Sequence, residues 1–181
     1  LANIVANGPT TFCEGDFVEL EESNAQIGVT YQWQEDFSNI SGATNYNYNA
    51  YSSGNYRIRV TGSNGCSKLS NTISINVNAL PVITLNAFAD VCVDAAPVSL
   101  SGGSPAGGTY SGTGVSGGNF DPSVAGVGTH TITYTYTDGN GCTNSATNTI
   151  TVNALPSVIL NAFADVCVDA APFALSGGSP G

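Results

Sequence analysis

The 181-residue chain sets three basic residues, Arg57, Arg59 and Lys68, against thirteen acidic ones, for a formal net charge of −10. Nucleic-acid binding needs cationic side chains to displace counterions from phosphates, so that class of partner is excluded, and anionic lipid surfaces are disfavoured for the same reason. No apolar run approaches the ~20 residues that cross a bilayer, so membrane insertion is not expected.

The chain repeats itself. Asn78-Ala79-Leu80-Pro81 returns 75 positions later as Asn153-Ala154-Leu155-Pro156, and the twelve residues from Asn86 to Pro97 return unchanged from Asn161 to Pro172. Self-similarity at one fixed period marks a tandem array. The expected units are residues 1–79, 80–154 and the start of a third, 155–181, and the chain reads as a window from a longer protein.

Along the first unit, Val29, Tyr31 and Trp33 alternate with Thr30, Gln32 and Gln34. Further on, Tyr56, Ile58 and Val60 alternate with Arg57 and Arg59, and Ile73, Ile75 and Val77 with Ser74 and Asn76. In the second unit His130, Ile132, Tyr134 and Tyr136 alternate with threonines from Thr129 to Thr137. Period-two patterning of β-branched and aromatic residues means strands with one buried face. No stretch carries a helical period. The expected fold is all-β, with tandem immunoglobulin-like antiparallel β-sandwiches of about seven strands each. Trp33 is expected at the centre of the first sandwich, and Tyr56 at the position of a corner tyrosine. The segment 77–83 passes from one unit to the next with Pro81 and no Gly/Ser spacer, a joint too stiff for a random coil. An elongated rod is the expected result.

Five cysteines punctuate the repeat: Cys13, Cys66, Cys92, Cys142 and Cys167. Cys66 and Cys142 each follow Asn-Gly, a strong hairpin signal. The spacing predicts one bridge per unit, Cys13–Cys66 and Cys92–Cys142, with the partner of Cys167 beyond Gly181. Closing a loop of about 50 residues contributes roughly 4 kcal/mol in the chain-entropy account. Disulfides imply an oxidising compartment, which is the periplasm, the cell surface or the exterior, and the expected localisation is extracellular or cell-surface after export through the periplasm. With no Cys-x-x-Cys and a single histidine, a zinc site is not expected.

The run GGTYSGTGVSGGNFDPSVAGVGTHTITYTYTDGNGC with the following TVNALP resembles PKD-like and Ig-like repeats of very large Bacteroidota surface proteins. The first unit, from PTTFCEGDFVEL to NYRIRV, is similar to the Ig-like repeats found beside them. The resemblance implies export by the type IX secretion system and display as an adhesin or filament, some of them in gliding bacteria. It implies no binding residues.

Four further groups are candidates for chemistry. Asp90, Asp94 and Asp138 could bind calcium and stiffen joints, although calcium wants six to eight oxygens and no closing Glu is present; solvated loops and a self-bonded turn are the simpler reading. No other cofactor is expected. His130 has no Ser or Cys placed beside it by any motif, so it reads as a packed imidazole rather than a catalytic base. The glycines from Gly102 to Gly118 lack the lysine and helix of a phosphate loop and read as turns and tight corners. Tyr46, Tyr48 and Tyr51 with their neighbouring asparagines could stack on a sugar; cross-strand packing on a sheet face is the simpler reading. Lys–Asn crosslinks cannot form in the second unit, which has no lysine.

The resulting expectation is a non-catalytic stalk or filament segment whose partners are the neighbouring repeats. A carbohydrate- or protein-binding module contacting surface glycans or other filament chains is the alternative, and an accessory region of a secreted enzyme is a third.

Overall fold

The computed structural model describes residues 2–172, 174–176 and 178–180. The outermost residues of the expected first and third units, Leu1 and Gly181, lie outside that range. The chain forms two compact units: Leu1–Val82 with Tyr136–Asn144, and Ile83–Thr135 with Ser145–Gly181. This division differs from the expected 1–79, 80–154 and 155–181. The expected third unit, 155–181, groups here with the second. The turn at 136–144, which the repeat assigns to the second unit, packs with the first.

The first unit contains β1 (Ile4–Ala6), β2 (Thr11–Cys13), β3 (Val18–Glu22), β4 (Val29–Glu35), β5 (Ser38–Asn39), β6 (Asn47–Ala50), β7 (Gly54–Gly62), β8 (Ser67–Leu69) and β9 (Ile73–Asn78). One sheet runs β1-β3-β6 and the other β2-β9-β7-β4-β5, with β8 on β7. Inward residues of both sheets meet in one core: Ile4, Val18, Leu20 and Ala50 from the first, Trp33, Tyr56, Ile58 and Ile75 from the second. The opening strand is split, with β1 antiparallel to β3 in one sheet and β2 parallel to β9 in the other. That strand order is an immunoglobulin-like sandwich.

Trp33 is fully buried on β4, and its indole N–H donates to the Asn45 carbonyl at 3.0 Å. Tyr56 is fully buried on β7. Its hydroxyl lies 3.0 Å from the Ser52 carbonyl and 2.8 Å from Glu35 Oε1, both within reach of its proton. A tyrosine bonding back to the backbone four residues upstream is the corner the sequence predicts. Burial pushes the phenol up to about 12, and the Glu35 carboxylate beside it adds to the rise. In antibody domains the residue two beyond this tyrosine is the second cysteine of the inter-sheet bridge. Here it is Ile58, buried in the same core as Leu20 on the opposite sheet, so this position carries an apolar side chain in place of a cysteine.

The second unit, apart from the strand ends at 136–137 and 143–144 that group with the first, contains β10 (Thr84–Leu85), β11 (Val91–Cys92), β12 (Val98–Ser99), β13 (Gly103–Ser104), β14 (Thr109–Ser111), β15 (Val115–Ser116), β16 (Asn119–Phe120), α1 (Pro122–Ala125), β17 (Gly128–Thr137), β18 (Thr143–Asn153), β19 (Val158–Leu160) and β20 (Gly178–Pro180). Its sheets run β11-β18-β17-β14 and β12-β16-β15, over a core of Leu100, Phe120, Ile132, Ile150 and Val152. The 75-residue period persists in the backbone: Thr84 pairs with Ser104 as Ile159 pairs with Ser179. The sequence pattern showed no helix, yet α1 forms one short turn. Asp121 caps it, accepting from the amides of Ser123 and Val124, with Pro122 at its start. An acidic cap followed by proline is the local signal for such a turn.

The glycine-rich stretch turns repeatedly, with positive φ at Gly102, Gly107, Gly112, Gly114, Gly117 and Gly118, and it also makes a close packing contact. Tyr134 is buried, and its hydroxyl donates to the Pro105 carbonyl at 2.6 Å and accepts from the Gly108 amide at 2.7 Å. A Cβ on Gly103 would stand 2.7 Å from ring atoms of Tyr134, and one on Gly108 would strike the Thr135 carbonyl. The chain lies flat on an aromatic ring, where a side chain has no room. Gly103→Ala is therefore expected to cost about 1–3 kcal/mol, the usual range for overpacking. A lower denaturant midpoint with an unchanged slope would register it.

Candidate functional site

Two features stand apart from the core: the cysteine positions and a polar groove on the first unit.

The observed bridge joins Cys13 to Cys142, 129 residues apart with Cα atoms 5.5 Å from each other. Cys66, Cys92 and Cys167 are exposed free thiols. The expected pairs Cys13–Cys66 and Cys92–Cys142 are thus corrected, and strand direction gives the reason. β2 runs parallel to β9, placing Cys13 opposite Asn78 at the exit end of the last strand. Cys66 lies past the far end of β7, which runs antiparallel to β9. At about 3.3 Å per residue, the length of β7 holds those ends roughly 25 Å apart, far beyond the ~5.5–6 Å between Cα atoms that a disulfide takes. In the same way Cys92 lies opposite Asn153, at one end of β18, while Cys142 directly precedes the other.

The Cys142 turn is built from its own residues. Asp138 Oδ1 accepts from the amides of Asn140 and Cys142, both at 2.9 Å. The Asp138 amide donates to the Cys142 carbonyl, and Gly141 takes a positive φ of 83°. Asn144, two residues on, donates through Nδ2 to the Pro81 carbonyl at 2.9 Å. Asp138 therefore serves the hairpin. Asp90 and Asp94 are exposed residues of the other unit, and no group of three His, Cys, Asp or Glu able to hold a metal ion occurs among the described residues. The three calcium candidates are not brought together. His130 points a ring nitrogen at the Gly126 carbonyl, 2.8 Å away, and packs against Phe120.

The groove has a volume of about 480 Å³ and is lined by Glu19, Asn45, Asn47, Asn49, Tyr48 and Tyr51, among others. The β3–β6 register explains its chemistry. Leu20 faces Tyr48 and Val18 faces Ala50, so those side chains point inward. Asn47 and Asn49 alternate with them and line the groove. The pleat splits the tyrosine trio: Tyr48 lies 5.9 Å from both Trp33 and Tyr56, while Tyr46 and Tyr51 are 48% and 58% exposed. Tyr51 packs against Phe17, another exposed ring, at 5.3 Å. The sequence reading missed Glu19 and Phe17, although the alternation around Val18 and Leu20 already turned Glu19 outward. It also missed Phe37. That ring is 65% exposed at a two-residue turn in which Asp36 and Phe37 both have positive φ, and Arg57 sits 4.6 Å from its centroid.

With these geometries in view, the comparisons add little beyond the first unit. A family model described as a domain of unknown function (DUF8696) matches residues 2–79. No curated protein matches. Among solved structures, the chain is similar to the fibronectin(III)-like modules of Clostridium thermocellum CbhA, with 13% identity, 83% of this chain and 94% of that one covered, and a TM-score of 0.37. It is also similar to the insect immune protein hemolin (11% identity, 84% and 47% covered, TM-score 0.42). A third is SGBP-B of the Bacteroides ovatus mixed-linkage glucan utilization locus, in complex with a mixed-linkage heptasaccharide (15%, 84% and 48%, TM-score 0.34). The chain spans about half the length of the latter two. Their TM-scores leave the immunoglobulin-like assignment resting on the strand order itself.

Asn7 Nδ2 and Asn47 Nδ2 donate to the Glu19 carboxylate at 3.1 and 2.7 Å, and these bonds hold it below the usual carboxylate range. A carboxyl lowered in the folded state contributes stability above its ordinary pKa and loses it as pH falls through the lowered value. Asn47→Ala is expected to raise the Glu19 titration midpoint toward the ordinary range, read by NMR of the side-chain carboxyl.

Proposed function

We propose that this chain is a non-catalytic, tension-bearing segment of a surface-displayed adhesin or filament, built from immunoglobulin-like repeats and exported to an oxidising compartment. Display through type IX secretion in a Bacteroidota cell belongs to the same reading and rests on the sequence resemblance. The observation that carries the proposal is the Cys13–Cys142 bridge. A force pulling the two ends of the chain apart enters at the residues before Cys13, crosses the covalent bond, and leaves through those after Cys142. Residues 14–141, the greater part of both repeats, lie in a loop that carries no tension. A stalk stapled in this way holds its length under loads that would otherwise extend the loop. The bridge also favours the folded state by about 5 kcal/mol in the chain-entropy account for a loop of this size, and disulfides persist only where the surroundings are oxidising.

A single-molecule stretching experiment on the oxidised chain tests this directly. With the bridge intact, the fully extended contour is expected to lack the shielded loop. Reduction, or Cys13→Ser, should lengthen it by roughly 450 Å at ~3.6 Å per residue. Equal contours before and after reduction would remove the proposal.

The groove supports a second reading, contact with a neutral glycan. Asparagine amides, one carboxylate and the exposed face of Tyr51 combine the hydrogen-bonding and stacking groups that sugars require. If so, Tyr51→Ala should abolish retention on immobilised oligosaccharide in affinity electrophoresis while leaving the thermal midpoint nearly unchanged.

A further inference from the structure

The two outward faces of the first sandwich carry opposite charge in the same pattern. On β7 the core residues Tyr56 and Ile58 alternate with Arg57 and Arg59, which therefore face outward together. These are two of the three basic residues in the chain. The register sets Gln34 and Gln32 beside them on β4, Asn39 beyond Gln34 on β5, and Leu69 beside Arg59 on β8, all uncharged. On β3 the core residues Val18 and Leu20 alternate with Glu19 and Glu21. Their neighbours are Asn49 and Asn47 on β6 and Val5 on β1, again uncharged. Each like-charged pair sits on an inner strand of its sheet, with its members about 7 Å apart at the ~3.3 Å rise of a strand.

Each pair also has exposed aromatic surface at one end. Phe17 stands two positions before Glu19 and packs at 5.3 Å against Tyr51, and both rings are exposed. Phe37 stands beside Arg57 on the side away from Arg59, because the Asp36 amide donates to the carbonyl of Asn55. Arg57 is fixed there. Its Nε donates to Gln34 Oε1 at 2.8 Å, and its guanidinium carbon lies 4.6 Å from the Phe37 centroid. Gln34 is buried and held in turn by Asn39. Bound through Nε, the guanidinium keeps its Nη groups as donors for a carboxylate. Glu19 is fixed in the same way, by Asn7 and Asn47. Phe37 is the residue its turn least favours. The two-residue turn between β4 and β5 has φ of 44° at Asp36 and 70° at Phe37, and the second position of such a turn ordinarily takes glycine. A bulky ring kept in a strained turn and turned away from the core marks function rather than folding.

From this matching order we propose that the face of Phe37, Arg57 and Arg59 on one copy docks on the face of Phe17, Glu19 and Glu21 on a second copy, so that chains stack side by side. Ring meets ring at one end, and two arginines meet two glutamates at equal spacing. The occupant is a second copy rather than any acidic chain, because the acidic face repeats both the order and the pitch of the basic one. Aromatic and arginine side chains are also the residues that most often carry binding energy at an interface. The two faces belong to opposite sheets, so the contact is heterologous and propagates as an open stack instead of closing as a dimer. Glu19 also lines the groove, and a copy seated on that face excludes a glycan.

The test is sedimentation velocity of the chain with its three free thiols alkylated, over a series of concentrations. The weight-average sedimentation coefficient is expected to rise with concentration. Arg59→Glu sets like charges against Glu21 and should weaken association about tenfold or more. Phe37→Gly should abolish the rise with the thermal midpoint held or raised, since glycine suits the positive φ that phenylalanine does not. Chains carrying Arg57→Glu with Arg59→Glu, and chains carrying Glu19→Lys with Glu21→Lys, should each stay monomeric. Mixed, they should associate again, because every contact between unlike chains pairs opposite charges. A sedimentation coefficient independent of concentration, association that survives both Arg59→Glu and Phe37→Gly, or a mixture no more associated than its components would overturn the proposal. So would a monomeric chain retained through Arg59 on immobilised polygalacturonate, which would give the basic face to an acidic glycan. Stretching a single chain needs no neighbour, so the tension-bearing reading and this one can fail separately.

Discussion

The parallel pairing of a three-residue strand with the end of the last strand governs what the cysteines can do. In an antiparallel sandwich most neighbours reverse direction, and a cysteine near the start of a domain would fall near the start of its partner strand. β2 breaks that pattern by lying parallel to β9. Cys13 is thereby carried to the exit of the repeat, within bonding distance of a turn 129 residues away in sequence. The direction of that short strand sets the end of the sheet at which Cys13 stands.

Freeing the cysteines for this use leaves the centre of the first sandwich without an inter-sheet disulfide. Tyr48 packs between Trp33 and Tyr56, and Leu20 and Ile58 are buried in the same core from the two sheets. Burying large aromatic and aliphatic side chains contributes about 1.5–3 kcal/mol each, enough for such a core to hold without a covalent link. The corner hydroxyl of Tyr56, tied to Ser52 and Glu35, fixes the entry to β7. The second unit solves the same problem with Tyr134 on two bare glycines.

Much of this was legible in the letters. Period-two runs located β4, β7, β9 and β17, and the buried Trp33 and the corner Tyr56 followed from their places on those runs. The repeat predicted a backbone period, which the paired registers at Thr84 and Ile159 display. What failed was long-range direction. The spacing of Cys13, Cys66, Cys92 and Cys142 is equally regular whether each repeat closes on itself or reaches onward, because a repeat read one unit at a time cannot distinguish the two. Tyr48 and Tyr51 both line the groove, and the inward lean of Tyr48 has a local reason that was available. Tyr48 alternates with Asn47 and Asn49, and the pleat must turn it inward once its neighbours face out. Asp138 sits in a turn whose amides bond its Oδ1, the simpler of the two uses its place in the sequence allows.

A repeat that bonds to its successor distributes mechanical risk differently from one that clamps itself. A self-clamped domain protects only its own loop, and the linker between domains remains a single strand of backbone. When the bond reaches from the exit of one repeat to the hairpin of the next, the segment between the bonded cysteines is removed from the loaded path, linker included. The Asn-Ala-Leu-Pro joint at Asn78–Pro81 falls inside the shielded loop between Cys13 and Cys142. That arrangement asks that two short pieces, a parallel strand end and an Asn-Gly-Cys turn, be reproduced faithfully, and those are among the features the repeat keeps.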